Sequence, residues 1–258
     1  MTGGMRLETV LKRDRGLVLS GLAGVTALAW LYLVYLSQGM PDAAMNMESA
    51  MPRMQDWAGR DLVLTFAMWA VMMVAMMVPS AAPAILLFAA ISRQRRERPG
   101  ALGPTAMFLL GYLALWTGFS VMATLAQWGL HTASLMTGMS GVGPILGAIL
   151  LAAAGIFQWT PLKHACLAHC RSPQGFFMTE WQEGAQGALH MGFRHGVYCV
   201  GCCWLLMSLL FVAGVMNLLW VAVMAAFVLV EKAAPAGEWV SRIAGLVLVG
   251  WGLWIAFQ

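Results

Sequence analysis

What most constrains this chain is the length of its apolar runs. Seven stretches, approximately Leu17 to Ser37, Leu62 to Ser92, Gly103 to Trp128, Gly143 to Thr160, Met191 to Ala213, Asn217 to Val230 and Trp239 to Phe257, are apolar almost throughout. Wound as α-helix, about twenty such residues match the ~30 Å hydrocarbon core of a bilayer, whereas barrel strands would show alternating segments about half as long. Composition agrees, since 60% of residues are hydrophobic and only 10% charged, where a water-soluble surface needs about a quarter charged. The expected fold is all-α: a polytopic transmembrane helix bundle forming one domain over residues 1–258. Seven spans are expected, or six if the short Asn217 to Val230 run is only partly inserted.

The charges give this bundle an orientation. With a cytoplasmic N-terminus, the segments on that side hold 13 of the 15 Lys and Arg residues, all but Arg53 and Arg60, as the positive-inside rule requires. The basic flank of the first run (Arg6, Lys12, Arg13, Arg15) resembles a secretory signal, but the run is long for one and no small-residue cleavage site follows, so it reads as a retained anchor. The net charge of +4 is a topology signal that leaves nothing for nucleic acid. The lipid bilayer is the expected partner, with a protein partner or a second copy of the chain alongside.

Methionine is frequent, at 21 residues, and placed unevenly. Met40, Met45, Met47, Met51 and Met54 crowd the first outer loop, and a second outer loop adds Met136 and Met139 beside His131. In the second run Met72 pairs with Met76 and Met73 with Met77 at i, i+4, so each pair shares a helix face. Thioethers suit Cu(I) better than they suit zinc, magnesium or calcium. Flexible filler in an apolar helix is the competing explanation, and it weakens in a water-facing loop, where a thioether packs nothing.

All five cysteines lie between Cys166 and Cys203, with four of the five histidines in or beside that window. The strings CLAHC (166 to 170) and CVGCC (199 to 203) repeat the pattern C-x-x-(H or C)-C. On a helix the offsets 0, +3 and +4 share one face, and His195 extends the second face by a turn, with Met191 one turn further back. Cys199 to Cys203 lie about 12 to 18 Å along the helix from Met191, at hydrocarbon depth. An odd number of thiols on the reducing side argues against disulfides and leaves the thiols free for a metal. The candidate metal ligands are therefore Cys166, His169, Cys170, His195, Cys199, Cys202 and Cys203, with Met72, Met73, Met76 and Met77 as softer donors. Cu(I) is the expected ion and zinc the alternative. Pro79, Ser80 and Pro83 interrupt the second run, as a kink or as the discontinuous helix found at transporter sites. Glu180, Glu183, Glu231 and Lys232 read as solvated or interfacial charges.

The strings WAVMMVAMMVPSAAP (69 to 83), QWTPLKHACLAHCRSP (158 to 173) and HGVYCVGCCWLLM (195 to 207) resemble a bacterial family of uncharacterised integral membrane proteins described as predicted metal-binding. The resemblance covers roughly residues 60 to 258 and implies a multi-pass protein of the bacterial cytoplasmic (inner) membrane with a metal site and no established reaction. The matching positions are Met76, Met77, Pro79, Ser80, Thr160, Pro161, Leu162, Lys163, Cys166, Cys170, Cys199, Cys202 and Cys203.

Three functions compete on these grounds. The first is handling or transport of Cu(I), gathered by outer thioethers and passed to inner thiolates. The second is a non-catalytic scaffold subunit with a structural metal. The third is a membrane thiol oxidoreductase, disfavoured because the outer loops carry no cysteine. No hydrolase, phosphate-loop, HExxH or haem-attachment motif is present, so enzymatic turnover is not expected.

Overall fold

A computed structural model describes residues 2–48, 59–95, 102–136 and 141–258, with side chains from Arg15 onward and excluding 39–48. Every regular element among the described residues is a helix: α1 (Thr2–Glu48), α2 (Gly59–Arg95), α3 (Leu102–Thr132), α4 (Pro144–Phe157), α5 (Pro161–Arg171), α6 (Pro173–Thr179), α7 (Gly184–Ser208), α8 (Leu210–Ala213), α9 (Leu218–Ala233) and α10 (Gly237–Ala256). The side chains of Met40, Met45 and Met47, and the whole of Met51, Met54 and Met139, lie outside the described residues.

Among the described residues, five segments are long and apolar enough to cross a membrane: Arg15–Gln38 of α1, then α2, α3, Gly184–Ala213 and α10. A sixth is counted if α4 and α5, bent by 65° at a short break, form one broken span. The expected seven therefore become five or six. The run near Asn217 forms α9, whose 16 residues reach about 24 Å, short of a ~30 Å core. The run from Gly143 yields only the 14 residues of α4, because Thr160 restarts the chain as a new helix. Its side chain caps α5 by accepting the Lys163 N–H at 3.3 Å, with Pro161 in the first turn.

Prolines act differently in α2, which continues through Pro79 and Pro83. A discontinuous helix is therefore not found there, and the broken span is the α4–α5 pair instead. Near Pro79, the Met77 carbonyl accepts hydrogen bonds from the Ser80 hydroxyl of the same helix (2.9 Å) and the Tyr112 hydroxyl of α3 (3.1 Å).

α7 lies against α3 more extensively than any other pair of helices, and glycine makes that approach close. A Cβ at Gly192 would collide with the Phe108 carbonyl, one at Gly111 with the Leu189 carbonyl, and one at Gly196 would crowd Leu115. Gly192 and Gly196 are four residues apart on one face, the small-residue spacing by which membrane helices bring backbones together. Gly155 and Gly245 do the same for α4 and α10, each Cβ meeting the other's carbonyl at 2.7 to 2.8 Å.

α5 is held at both ends. In its first turn, fully buried Lys163 places Nζ 2.5 Å from Glu231 Oε1 of α9 and also donates to Gln158 Oε1 at the bend. Gln158 in turn accepts from Ser241 Oγ of α10 at 2.7 Å. The Lys163–Glu231 contact is one of charge, since no donor is aligned on either carboxylate oxygen among the described residues. At the far end, Arg171 donates to the carbonyls of Ala234 (2.9 Å) and Pro235 (2.8 Å). Glu231 and Lys232, expected at an interface with water, are both buried. They stand in the last turn of an apolar helix too short to carry them out, and both find partners inside.

Two outcomes follow from these contacts. Gly192→Ala should lower stability in detergent micelles by about 1–3 kcal/mol through overpacking. Gly118→Ala, where a Cβ meets nothing within 4 Å, should stay within about 1 kcal/mol of wild type; equal melting temperatures for both would contradict the α3–α7 account. Glu231→Gln strands a buried ammonium and should cost about 3–5 kcal/mol, whereas the double change Lys163→Met, Glu231→Leu should cost less. A thermal melt of the three proteins checks the order.

Candidate functional site

The clamped ends of α5 decide where its thiols go. Cys166 and Cys170 follow Lys163 by three and seven residues, so they share its face and are turned toward α7. Cys166 packs over Gly201, where a Cβ would come within 2.8 Å of its sulfur, and Cys170, half-buried, lies one turn further along the same face of α5. The two cysteine-rich turns thus pack against each other through Cys166 and Gly201. All five cysteines are free thiols.

Cys199 is the hub. Its Sγ lies 2.9 Å from Lys232 Nζ and 3.1 Å from the Tyr112 hydroxyl, and Lys232 also donates to Ser80 Oγ at 3.1 Å. Four helices converge on this point: α2 through Ser80, α3 through Tyr112, α7 through Cys199 and α9 through Lys232. Tyr112 reaches it because neighbouring Gly111 lets α3 ride against α7. Cys202 and Cys203 turn their thiols back onto the Cys199 carbonyl, at 3.1 and 2.8 Å. All three α7 cysteines are buried.

The remaining predicted donors divide. His195 is buried among Phe108, Tyr112 and Phe176, and its Nδ1 has no hydrogen-bond partner among the described residues, so a ring nitrogen one turn below Cys199 stays uncommitted. His169 is engaged, stacked on Tyr198 at 4.1 Å with Nδ1 on the Ala165 carbonyl at 2.9 Å. Met72, Met73, Met76 and Met77 are all buried, and Met77 Sδ lies 4.0 Å from Ser80 Oγ, beside the thiol centre. Met191 accepts the Gln182 N–H on its sulfur at 3.4 Å. Met136, expected to be exposed in an outer loop, is only 4% exposed and packs in the core, where the filler role suffices.

Among the described residues, no group of three or more His, Cys, Asp or Glu side chains is drawn together so that it could hold a metal ion. The reason is visible in the geometry: two of the α7 thiols face a backbone carbonyl, and an ammonium lies against the third. A soft monovalent ion asks for less. Cu(I) is satisfied by two sulfur ligands in line, and thiolates are its preferred donors; the cysteines of the packed turns of α5 and α7 are of that donor type.

Lys232 and Tyr112 escaped the reading of the sequence as site residues, and Ser80 entered it only beside the prolines of the second run. For Lys232 a signal existed, since an ionisable side chain at the end of an overly short apolar run is a functional candidate by default. For Tyr112 there was none: it stands alone in an apolar helix, 87 residues before the thiol it touches.

The family model of the PpoB2 copper chaperones matches residues 66–255. No curated protein and no solved structure matches the chain. The matched segment runs from α2 into α10 and takes in the thiols, the four methionines of α2, Tyr112 and Lys232, going beyond a general metal-binding description to copper. With most of its length covered, the chain belongs to the PpoB2 copper chaperone family.

Proposed function

We propose that this protein is a multi-pass membrane carrier of Cu(I), which it receives through thioethers and holds on thiolates between α5 and α7. The observation that carries the reading is the packing of the CLAHC turn of α5 on the CVGCC turn of α7, Cys166 over Gly201 with Cys199, Cys202 and Cys203 buried behind it, in a chain whose family is one of copper chaperones. Copper here is cargo. Met72, Met73, Met76 and Met77 are the entry donors, Met77 being the one beside the thiol centre, and His195 supplies a neutral nitrogen one turn away. The rise in ligand strength from thioether to thiolate favours movement toward the cysteines. On the positive-inside rule, we take the N-terminus and the mouth of α5 to face the cytoplasm, in a bacterial inner membrane. A copper-accepting protein on that side is the partner a carrier requires. Zinc, the other ion weighed from the donors, finds no support in the family.

The scaffold reading loses its main argument. A structural metal would be needed to staple α5 to its neighbours, but Lys163–Glu231 and the Arg171 contacts already do so.

Competition against a Cu(I) chelator on the reduced, detergent-purified protein tests the proposal. Wild type should take up one Cu(I) per chain, and the Cys199→Ser, Cys202→Ser double variant should lose at least about a hundredfold in affinity while remaining folded. Unchanged binding in that variant would refute the assignment.

A further inference from the structure

Among the buried Lys, Arg, Asp and Glu side chains of the described residues, Lys163 and Glu231 neutralise each other and Lys232 is left over. An ammonium in an apolar interior needs an anionic or strongly polar neighbour, and the groups offered to Lys232 are the Cys199 sulfur at 2.9 Å and the Ser80 hydroxyl at 3.1 Å. Among the described residues, no carboxylate or second cation is paired with it. The positive charge thus belongs to the thiol centre itself.

Resting on the Cu(I) reading, we infer that Lys232 is a specificity-determining residue that tunes the thiol centre to monovalent soft cations by supplying one fixed positive charge at the ligand Cys199. Each thiol that ligates gives up its proton, so two thiolates carry two negative charges. One comes from Cys199 and the other from Cys170 or Cys202. Lys232 balances one of them, and a monovalent ion balances the other, leaving the buried site neutral. A divalent ion on the same pair leaves one positive charge uncompensated in a medium where unpaired charge is costly. Thiolate softness alone does not make this distinction, because Cd(II) is also strongly thiophilic. The contact does not block ligation, since a thiolate sulfur has lone pairs for both an N–H donor and a metal. Ser80 steadies the ammonium from the side of α2, so Lys232 acts through Cys199 and does not itself bind the metal.

The test uses the full chain, reduced and in detergent, with Ag(I) as the monovalent probe and Cd(II) as the divalent one, each measured by competition. In Lys232→Met the ratio of Ag(I) to Cd(II) affinity should fall at least about tenfold relative to wild type. Lys232→Gln, which retains polar contact without charge, should show the same shift and serves if the Met variant does not fold. Lys232→Arg should keep the wild-type ratio. General damage to the site lowers both affinities and leaves the ratio where it was, so an unchanged ratio in the neutral variants overturns the role of Lys232. Absence of thiol-dependent Ag(I) and Cu(I) binding in the wild type defeats the functional reading itself, a separable result.

Discussion

A lysine and a glutamate that have nowhere else to go organise this fold. Lys163 and Glu231 are fully buried and 2.5 Å apart, and in apolar surroundings either alone would carry a penalty of several kcal/mol. The pair therefore binds α5 to α9 without depending on the shape of either helix. Because Lys163 sits in the first turn of α5, holding it sets the roll of that helix, and the roll sets the direction of Cys166 and Cys170 on the same face. Arg171 repeats the constraint at the other end through the carbonyls that close α9. One residue further along α9 the direction changes by about 100°. That single step sends Glu231 to α5 and Lys232 to Cys199, so adjacent charges in sequence serve two different sites.

The second constraint is backbone proximity. Gly111, Gly192 and Gly196 remove the side chains that would keep α3 from α7, and a tyrosine hydroxyl is thereby brought to a cysteine sulfur deep in the bundle. The same hydroxyl binds the Met77 carbonyl next to Pro79. The Met77–Ser80 turn of α2, the close helix pair and the thiol centre are consequently one hydrogen-bonded unit: Ser80 and Tyr112 both touch Met77, and both reach the Lys232–Cys199 contact.

How much of this was legible in the sequence depended on whether a feature is local. The long helices were, because hydrocarbon thickness imposes a length that a run of apolar residues reports directly. The fourth and sixth runs misled, since hydropathy records the apolar stretch but not the cap at Thr160 that divides the α4–α5 segment, nor the shortness of α9. The triplets CLAHC and CVGCC were legible because helical spacing places their side chains on one face without reference to anything distant. The charges of Glu231 and Lys232 were misread because a residue at the end of a hydrophobic run has two destinations, water or an internal partner. The partners here, Lys163 and Cys199, lie 68 and 33 residues away. Gly192 and Gly196 were passed over for a related reason: small residues are common in membrane helices, and only the facing carbonyls show which of them matter.

The arrangement of the thiols also bears on what a carrier must do. A cage of three or four converging thiolates would hold copper tightly and surrender it slowly. Here Cys202 and Cys203 spend their S–H groups on the Cys199 carbonyl, and Cys199 is balanced by an ammonium, so the metal-free state has its own satisfied polar network. Each of those bonds is an alternative to metal ligation. A binding site whose empty form is already stable gives up part of its affinity, because the ion must displace existing contacts as it enters and those contacts re-form as it leaves. For a protein proposed to pass copper onward, that competition shifts the balance from storage toward exchange, and it does so with residues buried too deeply for water to perform the same task.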